Sequence, residues 1–83
     1  MNGDQFKVTD LMADAHRAML ALDDFTERDG SRARTVAVKD GLRVYSHLIE
    51  YRQSERMSVA ESSLLQTAID MLRARLRFFG EVV

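Results

Sequence analysis

Three stretches of this chain repeat apolar residues every three to four positions, and proline is absent throughout. The stretches run over about 4–28, 32–54 and 59–79. That period belongs to amphipathic helices. Without proline, nothing forces a break inside any of them. Rods of about 30–37 Å joined by short loops suit antiparallel neighbours. The sequence therefore predicts an all-α domain, an antiparallel up-down three-helix bundle.

The boundaries have residue-level reasons. Ser58-Val59-Ala60-Glu61 reads as a capping box, with a hydroxyl and a carboxylate answering two backbone donors. Gly30 reads as the residue that closes helix 1, and Ser31 as the cap of helix 2. Gly80 follows a last turn rich in arginine, as a helix C-terminus favours. The β-prone run Thr35–Val38 sets a second option for helix 2, a start near Asp40. The apolar face continues unbroken through Val38, Leu42, Tyr45 and Ile49, so the longer helix is expected. Gly41 lies among apolar neighbours on the wheel, where it permits close approach of another helix.

Width of the apolar face is the most informative quantity. Helix 1 has one stripe of about 140°, made by Val8, Leu11, Met12, Ala15, Ala18, Met19, Leu22 and Phe25. Leu20 falls outside it. Helices 2 and 3 each carry about 180°. The excess is Val44 and Tyr51 on helix 2, and Leu64, Met71 and Phe78 on helix 3. One chain of 83 residues buries only about 60–65% of the surface it exposes when unfolded. Excess apolar circumference is therefore expected to be covered by another molecule, most simply a second copy in a homodimer formed through helices 2 and 3. An unidentified protein partner is the other occupant of that face. Tyr51 beside Arg52 fits an interface anchor, and equally a cluster over the bundle's end.

Charge is uneven. Residues 1–30 hold seven acids and three bases; residues 31–83 hold six acids and nine bases. The simplest meaning is complementary flanks between helix 1 and the other two. Arg73 and Arg77, one turn apart on helix 3, are candidate anion contacts, and give a second reading as a small nucleic-acid-associated factor. The net charge of −1 argues against a protein that coats nucleic acid.

Chemistry finds little to stand on. No glycine-rich phosphate loop and no Gly-x-Ser-x-Gly elbow occurs. His16 and His47 look solvated, and His47-x-x-Glu50 reverses the order a di-iron bundle uses. No metal, cofactor or catalytic residue is expected. A ligand pocket near Gly41 is the remaining, more remote, reading. Met1-Asn2-Gly3-Asp4-Gln5 has no basic or apolar leader region, no run spans a membrane, and there are no cysteines. A cytoplasmic, non-enzymatic interaction or regulatory module is the expectation.

Overall fold

A computed structural model describes residues 3–25, 30–54 and 56–83. It contains three helices: α1 (Gly3–Asp23), α2 (Arg32–Ser54) and α3 (Val59–Phe78). Every helix packs against both others. The molecule is a rod of 45 × 19 × 16 Å, as three helices of 20 to 23 residues side by side must be.

Local chemistry sets the helix ends. Ser58 Oγ accepts from the Glu61 backbone N–H at 3.1 Å, and Glu61 Oε1 accepts from the Ser58 N–H at 3.0 Å. This is the expected capping box, complete in both directions. Ser31 Oγ accepts from the Arg34 N–H at 3.1 Å, and α2 starts at Arg32, not near Asp40. At the other end of α3, Gly80 takes φ +90°, a conformation that disfavours any residue with a Cβ. The Gly80 N–H then donates to Arg77 O at 3.0 Å and the Glu81 N–H to Leu76 O at 3.1 Å, the paired bonds of a Schellman closure.

One boundary differs from expectation. Helix α1 ends at Asp23, seven residues before Gly30, so Gly30 is not the closing glycine of that helix. The reason is electrostatic and apolar together. Asp23 and Asp24 oppose the partial negative charge at a helix C-terminus, and no base stands in the last turn to offset them. The Phe25 N–H turns back to Leu22 O at 3.1 Å, and its ring packs half-buried against the core. The expected last turn, residues 26–29, lies outside the described residues.

The core is built from Ala15, Ala18 and Leu22 of α1, Val44 and Leu48 of α2, and Leu65, Ile69, Leu72 and Leu76 of α3, all essentially sealed from solvent. Burying a leucine side chain contributes about 1.5–3 kcal/mol, so these residues dominate stability. Gly41 faces both other rods at close range. A Cβ there would stand 3.1 Å from Leu76 Cδ2 and 3.4 Å from Leu22 Cδ1. Leucines from two other helices fill the space that a side chain at Gly41 would take.

Val44 and Tyr51 need a correction. The width of the apolar arc puts them at the surface, awaiting a second molecule. They are only 1% and 6% exposed, enclosed by the chain's own helices. A helix in a three-helix bundle faces two neighbours, and the wide arc of α2 is consumed between them. Its two apolar parts border one another on the wheel, so α1 and α3 together cover both.

Polar ties hold the rods in register. Arg17 of α1 reaches Asp40 of α2 at 2.8 Å, and Arg43 reaches the same carboxylate at 2.7 Å. These two hydrogen-bonded guanidinium groups hold the Asp40 carboxyl below its ordinary 3.8, and Asp40 raises Arg17 in turn. Asp23, from the acidic N-terminal third, pairs with Arg75 of basic α3 at 3.0 Å. Arg34, early in α2, lies 4.9 Å over the Phe79 ring, a cation–π contact. Arg52, late in α2, donates to Gln66 in the first half of α3.

Candidate functional site

Helix α3 presents two faces of apolar character. Leu65, Ala68, Ile69, Leu72 and Leu76 are buried. Leu64, Met71 and Phe78 stay 54%, 44% and 56% exposed. On a wheel of 100° per residue the two groups are centred about 115° apart. The neighbours that bury one do not reach the other.

The exposed residues do not stand alone. Ala60, Thr67 and Ala74 alternate with them and are exposed as well. Together the positions 60, 64, 67, 71, 74 and 78 advance by four and three residues in turn. That is the 3.5-residue repeat of a helix-pairing seam. Large residues occupy one set of seam positions and small residues the other. Breadth of the apolar arc alone singled out the large members. The small ones were missed, although the four-three alternation was present in the sequence to find them.

The seam meets a second aromatic ring at its C-terminal end. The rings of Phe78 and buried Phe79 meet edge to face, centroids 5.3 Å apart and planes at 88°. Such a pair stabilises by about 0.5–1.5 kcal/mol beyond its buried area. Ala74 and Phe78 also border a shallow groove against Leu22 and Phe25 of the α1 end, with the Asp23–Arg75 pair beside it. The exposed Phe78 thus meets a buried ring on a helix closed by the Gly80 turn.

The candidate anion contacts are both engaged. Arg73 Nε donates to Tyr45 Oη at 3.0 Å, its guanidinium lies 5.8 Å from the Tyr45 ring centroid, and Nη1 is 3.6 Å from Asp70 Oδ1. Arg77 Nε donates to the Val83 carbonyl at 2.8 Å. Phosphate binding by these residues would compete with bonds that fasten α3 to α2 and to the chain's own end. Tyr51 is inside the bundle, and Arg52 beside it ties α2 to α3.

His16 and His47 are exposed. Among the described residues no group of three histidines and acids could hold a metal ion, and no helix is long and apolar enough to cross a membrane. Fold and surface define a class: an all-α three-helix domain with an exposed apolar stripe on α3. No family model, curated protein or solved structure matches the chain.

Proposed function

We propose that this chain is a non-enzymatic interaction module, a small helical homodimer that pairs through the α3 seam. The observation that carries the reading is the exposure of Leu64, Met71 and Phe78 in a continuous 3.5-residue repeat beside the buried face of the same helix. Apolar stripes with that period associate with another helix because each large side chain can enter a gap on the facing rod. The interface is narrower than the sequence suggested: α3 supplies it, and Val44 and Tyr51 do not. A regulatory role fits a module whose association depends on its own concentration.

The bundle beneath is proposed to run up, down and up, with α2 antiparallel to α1 and α3. Arg34 near the start of α2 touches Phe79 after the end of α3. Arg52 near the end of α2 touches Gln66 in the first half of α3. The end of α1 meets the last turns of α3 through Asp23 and Arg75. All three contacts fit that order.

Sedimentation across a wide concentration range tests the dimer. The expected result is a monomer–dimer equilibrium for the native chain and a monomer for Met71→Asp with unchanged helix content. A native chain that stays monomeric at every concentration overturns the reading. The nucleic-acid alternative has less support, because the Arg73 and Arg77 side chains already have partners. A mobility shift with DNA or RNA at low salt would revive it.

A further inference from the structure

We infer that two copies pair α3 against α3 antiparallel, in the register that sets Asp70 of each copy against Arg77 of the other. This rests on the dimer reading above and adds the orientation and alignment of the two chains.

The seam complements itself only when reversed. In an antiparallel pair the large positions meet the small ones. With the two-fold axis between Leu72 and Arg73, Met71 faces Ala74 of the second copy and Phe78 faces Thr67. Large against small fills each layer evenly. A parallel pair would stack Met71 on Met71 and Phe78 on Phe78, with Ala74 on Ala74 between them, alternating crowding with gaps. It would also bring Asp70 toward Arg75, which Asp23 already holds through two hydrogen bonds.

Charge then selects the register. Asp70 and Arg77 each stand one residue before a large seam residue, on the same flank. Like flanks meet in an antiparallel pair. In the proposed register the two-fold creates two reciprocal Asp70–Arg77 pairs. Asp70 holds Gln66 and Arg73 through Oδ1, and Arg77 holds Val83 through Nε. Both residues are exposed, so Asp70 Oδ2 and the Arg77 Nη groups are the atoms offered to a second copy. Sliding one chain by a heptad aligns Leu64 with Ala74, Met71 with Thr67 and Phe78 with Ala60. That alternative sets Asp70 against Asp70 across the axis and leaves Arg77 against Ser63. It offers Glu61 to Arg75, but Glu61 is spent in the capping box and Arg75 on Asp23. The alternative overlaps the two helices over more residues, 60–78 against 67–78. In the proposed register Leu64 instead lies over the chain that follows Gly80 in the second copy, where Val82 is fully exposed. That contact replaces part of the shorter overlap, and two opposite-charge pairs in place of a like pair on the axis then decide.

Charge reversal in the full chain tests this by sedimentation equilibrium. Asp70→Arg alone and Arg77→Asp alone each place like charges at both ends of the pairing, and each should weaken the dimer about tenfold or more. The double variant Asp70→Arg/Arg77→Asp restores opposite charges and should return to near-native affinity. An equimolar mixture of the two single variants should form a heterodimer tighter than either variant alone. That recovery also proves that both single variants fold. If Arg77→Asp dimerises like the native chain, or the double variant pairs no better than the singles, the alignment is wrong while the dimer stands. The chain has no cysteine, so an oxidised mixture of Met71→Cys and Ala74→Cys chains gives a second measurement. A disulfide joining one variant to the other supports the register. A predominant disulfide between two Met71→Cys chains overturns it.

Discussion

Helices α2 and α3 each add a second apolar stripe to their main one, with members seven residues apart: Val44 and Tyr51 on α2, and Leu64, Met71 and Phe78 on α3. The first stripe is sealed inside the bundle and the second faces out. The difference is where the neighbouring rods stand. On both helices the extra stripe lies about 115° from the centre of the main one. On α2 the neighbours stand between the stripes: Val38 and Leu48 of the one and Val44 and Tyr51 of the other are buried, while Leu42, Tyr45 and Ile49 are only partly covered. On α3 they stand over the main stripe alone, and the extra one is left outside. Neither apolar width nor the separation between stripes tells which side of a helix its neighbours take.

The sharpest break of this contrast is truncation inside. Tyr51→Ala should cost about 3 kcal/mol in chemical denaturation, because a sealed aromatic leaves a cavity behind. A cost below about 1 kcal/mol would mean that Tyr51 is at the surface after all. Next comes the position that lets the rods close over the α2 stripe. Gly41→Val should cost about 2 kcal/mol, since its Cβ already stands 3.1 Å from Leu76 Cδ2. Gly41→Ala gains helix propensity and should fall near neutral if Leu76 swings aside. Thermal melts of the pair separate close approach from plain tolerance of glycine.

Asp40 beside Gly41 gives a smaller effect with a pH signature. Its carboxyl is held below the ordinary value by Arg17 and Arg43. Its stabilisation is thus present above the unfolded value of 3.8 and lost as pH falls through the lower folded one. Asp40→Asn should cost about 1 kcal/mol at neutral pH, the pairs being partly exposed. The gap to the native chain should vanish in acid, as urea titrations at several pH values would show. Smallest is the outer stripe. Phe78→Ala should change the unfolding free energy of the dilute monomer by about 0.5 kcal/mol or less beyond the lost Phe79 contact. It should nevertheless weaken self-association at least about tenfold. A large monomer effect with no change in association would reverse the assignment of inside and outside.

Much of the fold was legible. The period gave three helices, and the Ser58 box and Gly80 gave α3 its ends, because capping depends on residues within one turn. Ser31 opened α2 for the same reason. The end of α1 was not legible. Gly30 drew the boundary too far, whereas Asp23 leaves the helix end for Arg75, which lies 52 residues away in sequence. The candidate site was half legible: Leu64, Met71 and Phe78 stood out, their small seam partners did not, and Val44 and Tyr51 were assigned to the wrong side.

By itself the sequence determined what is local: the helical period, the caps and the seam spacing on α3. Tertiary structure decided what is relational: that Val44 and Tyr51 are covered, that Gly41 receives Leu22 and Leu76, and that Arg73 and Arg77 are occupied. A side chain's direction from its own helix follows from 100° per residue, but whether anything stands in that direction depends on where the other two rods lie.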